Sequence, residues 1–182
     1  MKYLTLFSML MIVSFAAQSS DKRIDFGAQS TVDVSTYEVG FCARAKNENG
    51  DGPGHAFVMF RKFDASQKVV EFYTGGLTPG NKRTPYTQNG LIEPEMYSDP
   101  TQECLIANTN KDKYTKALEY ATLHGEYTFG DVTINIPNTY SLLTNDCVTF
   151  MGAVAEYFGL QTPSRVLNMT PMSFVTALKA KY

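Results

Sequence analysis

The spacing of apolar residues in this chain changes from strand-like to helical near residue 110. Segments rich in β-branched and aromatic residues, without helical spacing, predict strands at 34–46, 55–63, 68–74 and 103–109. Beyond them, helical spacing and cap signals predict helices at 112–124, 147–158 and 170–179, with one more strand at 131–136. We therefore expect an α+β fold, an antiparallel sheet packed with about three helices, as one domain over residues 20–182.

Turn-forming residues separate the predicted strands. Residues 47–54 are dense in Gly, Asn and Asp, and Asp64–Gln67 can turn the chain so that 55–63 and 68–74 form a hairpin. Residues 75–100 carry several Gly and Pro, and we interpret them as a long ordered loop. Such a loop in a compact domain is more often functional than idle.

The first residues have the layout of a secretory signal peptide. Lys2 supplies a positive start, residues 3–17 form an uncharged apolar run, and small residues follow. The run is short for a transmembrane helix, so an uncleaved anchor is the less favoured alternative. We expect cleavage after Ala16 or Ser19, with residues 1–19 as the signal peptide. The product is then soluble and secreted or periplasmic, without a membrane anchor, in a compartment where disulfides persist.

Composition excludes two further classes of protein. Hydrophobic content of 43% and charged content of 19% are those of a globular chain, not a disordered one. A net charge of −2 does not supply the basic surface that nucleic-acid binding requires. Two histidines without a carboxylate cluster, and without H-E-x-x-H or paired C-x-x-C motifs, argue against zinc. We expect a monomer with no metal and no cofactor.

Three cysteines cannot all pair within one chain. Cys42 and Cys104 lie in strand-like segments, and a disulfide between them is natural if those strands are close. Closing that loop stabilises a fold by roughly 4 kcal/mol on the chain-entropy model. The alternative is that all three thiols are reduced and buried. If the pair forms, Cys147 is a single thiol in an oxidising compartment, and such a thiol needs a reason.

Cys147 is expected at the start of a helix. A catalytic role and burial in the core explain a cysteine at this position equally well. Helix N-termini favour a thiolate, and their free N–H groups can hold a developing oxyanion. Asp146 opposes ionisation of the neighbouring thiol because it carries a like charge. The alternative is a buried helix cysteine that faces the core.

Either histidine can serve as a base for this thiol. His55 opens a strand directly after a glycine-rich turn, at a loop mouth where catalytic side chains tend to lie. His124 falls in the last turn of a predicted helix, where the helix dipole alone explains it. His55 is therefore the preferred candidate, and His124 is the alternative.

Two segments give the chain a family resemblance. PGHAFVMF at 53–60 and YSLLTNDCVTFMGAVAEYFGL at 140–160 resemble the circularly permuted papain-like enzymes, the superfamily of NlpC-type peptidases and lecithin:retinol acyltransferase-like proteins. In that superfamily the histidine strand precedes a cysteine helix that often begins Asn-Cys. Here Asp146 stands between Asn145 and Cys147, which is a departure of one residue.

The resemblance implies a permuted papain-like fold and a catalytic set. Cys147 would attack a carbonyl carbon, His55 would take its proton, and a third residue would orient the imidazole. Glu71 is the first choice for that residue, with Tyr73 and Thr74 as alternatives. A two-residue turn would put Glu71 on the opposite face from His55, which a bulge or longer turn would correct. A solvated strand charge is an equally good interpretation of Glu71.

Several functions remain open at this point. The first is an exported cysteine hydrolase that cleaves an amide bond, with a peptide or acyl substrate such as the peptide of peptidoglycan; the loop 75–100 would form one wall of its cleft. Acyl transfer or thioester cleavage through the same acyl-enzyme is a close variant. The second is a secreted binding or interaction domain without catalysis. The third is a toxin that uses the same chemistry on competing cells.

Overall fold

The structure is a computed structural model, and it describes residues 21–27, 34–45, 54–79, 88–93, 102–123, 127–129, 132–134 and 138–182. The strands in these ranges are β1 Lys22–Asp25, β2 Thr36–Arg44, β3 His55–Phe63, β4 Val69–Pro79, β5 Gln88–Glu93, β6 Gln102–Thr109, β7 Tyr127–Phe129, β8 Val132–Ile134 and β9 Asn138–Tyr140. The helices are α1 Lys111–Leu123, α2 Cys147–Phe158 and α3 Pro171–Lys181. The predicted α+β class is confirmed. The predicted signal peptide lies outside the described residues.

Seven strands form one sheet in the order β1-β6-β2-β3-β4-β5-β9, and β7 and β8 form a separate ribbon. The pairings in the large sheet are antiparallel except that β1 runs parallel to β6. The sheet is therefore antiparallel as predicted in all its pairings but one, and the parallel β1–β6 pair makes it mixed. β1 has only four residues, which is too short for an alternating pattern to predict it.

The predicted loop at 75–100 is partly strand. β4 continues through Gly75 and Gly76 to Pro79, and β5 occupies Gln88–Glu93. Gly76 to Pro79 pair with Gly90 to Glu93 in this region. Glycine inside a strand resembles a loop signal in sequence, but ladder pairing overrides that local preference. Residues 80–87 and 94–100 lie outside the described part.

The central strands are buried on both faces, which explains the uninterrupted apolar run of β3. On one side, here called the helix face, Ala56, Val58 and Phe60 share a core with buried residues of α1, α2 and α3. On the other side, the second face, Phe57 and Met59 form a smaller cluster with Cys42, Cys104 and Ile106. Because successive side chains alternate between faces, a β3 residue belongs to one layer or the other.

Local cap signals set the bounds of two helices. Asp146 is the N-cap of α2, and Gly159 ends that helix in the left-handed conformation with φ of 104°. Thr170 caps α3 through a capping box with Ser173, and Pro171 occupies the first turn. These caps account for the predicted helix starts near residues 147 and 170 and for the predicted helix end at residue 158.

A tight turn joins β3 to β4. The Asp64 carboxylate accepts hydrogen bonds from the Ser66 N–H and hydroxyl and from the Lys68 N–H. The Ser66 hydroxyl is the main reason that the pKa of Asp64 lies below its usual value, and the Lys68 N–H adds to it. The predicted hairpin is confirmed, with Gln67 in the left-handed region at φ of 62°.

Candidate functional site

The predicted disulfide is present, and it sets Cys147 apart. Cys42 and Cys104 are directly opposite in the β2–β6 register and are joined by an S–S bond of 2.04 Å. Both are fully buried on the second face. Cys147 is free, so the assignment of the third thiol from its position is confirmed. A cross-strand disulfide in the centre of the sheet fits an oxidising compartment.

Cys147 is the first residue of α2 and lies in the helix-face core. Its exposed fraction is 7%. The chain reaches it from β9 through a turn closed by the Asn145 and Ser141 backbones. The thiol is therefore held in a fixed position by a helix start, a turn and a strand of the large sheet.

Asp146 connects three segments around this thiol. Its Oδ1 accepts hydrogen bonds from the N–H groups of Val148 and Thr149, both at 3.1 Å, and from the Thr149 hydroxyl at 3.2 Å. Its Oδ2 accepts from the Leu143 N–H at 2.8 Å and from Arg165 Nη2 at 2.6 Å. The residue is 2% exposed. The carboxylate thus accepts from two N–H groups of the first helical turn. These groups were expected to donate to an oxyanion.

Tyr140 provides a neutral hydroxyl next to this cluster. Burial raises the pKa of its phenol strongly, and electrostatic interaction with the nearby Cys147 and Asp146 side chains raises it further, while Arg165 acts in the opposite direction. The phenol therefore keeps its proton across the pH range in which proteins are folded. Tyr140 opens the segment that carries the family resemblance, so the sequence did contain a signal for it.

Arg165 is the residue that sequence reasoning missed. It lies 19 residues after Asp146, in the connection between α2 and α3. Its Nη1 also donates to the carbonyl of Asn168 at 3.0 Å, so the guanidinium holds the connection against the start of α2. No local pattern links these positions, because the two segments meet only in the folded chain.

His55 opens β3 on the second face. It pairs with Arg44 of β2, and its ring stacks on Phe57 with centroids 6.4 Å apart and planes at 17°. A Cβ at Gly76 would collide with His55 Nε2, so glycine is needed there for the imidazole to lie over β4. His55 therefore follows Phe57 into the second layer, whereas Cys147 lies in the helix-face layer.

The two residues nevertheless lie at the same end of the sheet. His55 lies over Gly76, and the next residue, Leu77, is in the helix-face core. A Cβ at Gly90 would contact both Leu77 and Tyr140, which places Tyr140 beside the end of β4. Catalytic pairing of His55 with Cys147 stays a prediction. The alternative base, His124, lies outside the described residues.

Glu71 lies far from His55. It is opposite Lys62 in the β3–β4 register, its carboxylate is 2.5 Å from Lys62 Nζ, and its side chain is 51% exposed. Lys62 is seven positions along β3 from His55, about 23 Å at strand spacing. Strand alternation also puts Glu71 on the helix-face side, opposite to His55, and the bulge between Lys62 and Phe63 does not change this. The structure does not bring Glu71 to the imidazole.

The two alternative residues for orienting the imidazole, Tyr73 and Thr74, also lie far along the strand from His55. Tyr73 and Thr74 pair with Phe60 and Met59, so they lie about 13–17 Å from His55 along β3. Their positions do not suit a hydrogen bond to the imidazole, so we carry no third catalytic residue forward.

Glu71→Gln tests this interpretation of Glu71. An exposed ion pair contributes at most about 1 kcal/mol, so we expect a small loss of unfolding free energy in urea. Since Glu71 is distant from Cys147, the alkylation rate of the Cys147 thiol should stay within about twofold of the parent chain. A tenfold slower alkylation would return Glu71 to the catalytic set.

Among the described residues, no three His, Cys, Asp or Glu side chains converge as metal ligands. No helix in those ranges is long and apolar enough to cross a membrane. Comparison of the chain with protein-family models, with curated proteins and with solved structures finds no match.

Proposed function

We propose that this chain is an exported cysteine hydrolase that cleaves an amide bond in a peptide outside the cell, with cell-wall peptide as the favoured substrate class. The observation that carries the proposal is the state of the thiols. Cys42 and Cys104 are bridged, and the remaining thiol, Cys147, begins a helix beside a neutral phenol. The order of a histidine strand followed by a cysteine helix packed on it supports a permuted papain-like arrangement.

The reaction follows the acyl-enzyme route. Cys147 Sγ attacks the carbonyl carbon, and its proton passes to His55, which then gives a proton to the leaving amine. Water attacks the thioester and releases the acid, and Cys147 recovers its proton. Tyr140 keeps its O–H and can donate to the oxyanion, a role that the Val148 and Thr149 N–H groups do not fill while Asp146 holds them.

His55 must rotate toward the helix face to act in this way. The β3–β4 register ends where Val58 meets Gly75, and beyond it the His55 imidazole packs over Gly76 of β4. On the β2 side, His55 pairs with Arg44. The proposal therefore requires that this end of β3 twists when substrate binds.

Alkylation of the mature chain by iodoacetamide at pH 6 tests the proposal. We expect Cys147 to react at least about tenfold faster than glutathione, and His55→Ala to remove most of that advantage. Peptide mapping identifies the modified residue, and Glu71→Gln is the matched control on the neighbouring strand. A disulfide that includes Cys147 would contradict the scheme at once.

A non-catalytic binding domain is the second candidate, and two observations favour it. Asp146 occupies the N–H groups of Val148 and Thr149, and His55 lies in the other layer. If this candidate is right, Cys147 reacts no faster than glutathione, and His55→Ala leaves that rate unchanged.

Assays on purified peptidoglycan, and on ester and amide model substrates, separate hydrolysis from acyl transfer and thioester cleavage.

A further inference from the structure

Four large apolar side chains are exposed around the segments that Asp146 joins. Leu143 is 51% exposed, Val166 80%, Leu167 82% and Met169 58%. We call these four residues the apolar rim. Exposed apolar residues scattered singly are ordinary, whereas several of them on segments joined at one point suggest a binding surface.

Asp146 fixes both parts of the rim beside Cys147. The Leu143 N–H and Arg165 Nη2 donate to the same oxygen, Asp146 Oδ2, at 2.8 and 2.6 Å. Val166 and Leu167 directly follow Arg165, and the Asn168 carbonyl accepts from Arg165 Nη1, which curls this turn around the guanidinium. Both segments of the rim are therefore tied to the residue that precedes the candidate nucleophile.

Leu143 adopts a backbone conformation that leucine rarely takes. Its φ is 73°, in the left-handed region where Gly and Asn are favoured. Its side chain is half exposed, so it gains little burial in the folded chain to offset that conformation. Stability alone does not account for leucine at this position.

The two segments that carry the rim have no net charge once the Asp146 carboxylate is counted. Residues 141–145 and 163–169 contain one ionised side chain, Arg165, and its charge is balanced by the Asp146 carboxylate. An uncharged apolar surface favours an uncharged apolar ligand, because burying a charge there would leave it without a partner.

We propose that the rim binds an uncharged alkyl group of the substrate next to the scissile carbonyl. This inference rests on the proposed function, and it narrows the substrate to amides that carry an aliphatic group at the reacting end. Leu143, Val166, Leu167 and Met169 are then the residues that determine specificity.

Alkylation by an N-alkyl iodoacetamide series tests the rim without assuming hydrolysis. N-ethyl and N-octyl iodoacetamide are used below micellar concentration, and the ratio of their rate constants at Cys147 is divided by the same ratio for glutathione. We expect a normalised preference for the octyl reagent of at least about tenfold, since burial of only two methylene groups supplies that factor.

Two rim variants and one matched control define the test. Leu143→Asn suits the left-handed backbone, so it should unfold at or above the parent temperature while losing most of the octyl preference. Val166→Ser with Leu167→Ser should lose it as well. Val70→Ser, at a 49% exposed apolar position on β4 outside the rim, should keep it.

The outcomes separate the inference from the proposed function. Fast labelling of Cys147 by N-ethyl iodoacetamide without a preference for the octyl reagent overturns the role of the rim and is consistent with the hydrolase. Slow labelling by both reagents with a strong octyl preference supports the rim and contradicts the hydrolase. An equal loss in Val70→Ser overturns the rim. The inference is also overturned if the chain sediments with phosphatidylcholine–phosphatidylglycerol vesicles, loses this binding in the rim variants, and shows no octyl preference. That result would assign these side chains to a membrane surface.

Discussion

Asp146→Ala is expected to lower the free energy of unfolding by about 3 kcal/mol. The carboxylate is the N-cap of α2, and an alanine leaves the N–H groups of Val148 and Thr149 without that acceptor. It also removes the acceptor of the Leu143 N–H and the partner of the Arg165 guanidinium, whose side chain is only 22% exposed. Urea unfolding followed by circular dichroism measures the loss.

Thr170→Ala and Asp146→Asn show which part of the effect belongs to the charge. Thr170 is also an N-cap, but it lies on an exposed helix start without an ion pair, so its loss should cost about 1 kcal/mol. Asp146→Asn keeps an oxygen for the cap and removes the charge opposite Arg165. If Asp146→Ala proves no worse than Thr170→Ala, the contact with Arg165 contributes nothing to stability.

The same carboxylate has a consequence for the chemistry of Cys147. It accepts from two backbone donors of the first helical turn, so these N–H groups are not available to a developing oxyanion. Asp146 thus strengthens the start of α2 while it takes up donors that catalysis at Cys147 would use. Catalysis at Cys147 would therefore depend on groups outside this helical turn, and this makes the His55→Ala comparison decisive.

Local signals account for the parts of the fold that the sequence predicted well. α2 begins at Cys147 and ends before Gly159 because a cap residue and a left-handed glycine act within one turn of each end. β3 spans His55–Phe63, as expected from its apolar run between turn residues. The disulfide followed from the same local reasoning about two strand cysteines.

The errors have a common cause in pairing between distant segments. The parallel contact of β1 with β6 joins residues about 83 positions apart, and four residues of sequence cannot indicate it. The strand that contains Gly75 and Gly76 exists because β3 and β5 lie on either side of it. Non-local ladders override the local signals on which sequence interpretation depends.

The candidate site likewise has a part that the sequence predicted and a part that it did not. The helix start at Cys147 was predictable, but the layer that each side chain enters was not. His55 and Cys147 differ in layer because the helices cover the side of β3 that bears Ala56, and no residue near His55 encodes that choice. The contact of Arg165 with Asp146 has the same non-local origin.

Replacing Cys42 and Cys104 together by alanine is expected to lower the unfolding free energy by about 4 kcal/mol. The bridge closes a loop with a sequence separation of 62 residues, and its loss returns that conformational freedom to the unfolded chain. For a domain of this size, the midpoint of thermal unfolding should fall by roughly 8–16 °C. Differential scanning calorimetry of the oxidised chain and of the double variant measures the difference.

The matched control is Cys147→Ser, which keeps the bridge while removing the third thiol. Its midpoint should change much less than that of the double variant, because serine conserves most of the volume at the first residue of α2. Adding reductant in urea should destabilise the parent chain and Cys147→Ser alike, and leave the double variant unaffected. If reductant leaves the parent chain unchanged as well, Cys42 and Cys104 are not bridged in solution, and Cys147 loses its standing as the single remaining thiol.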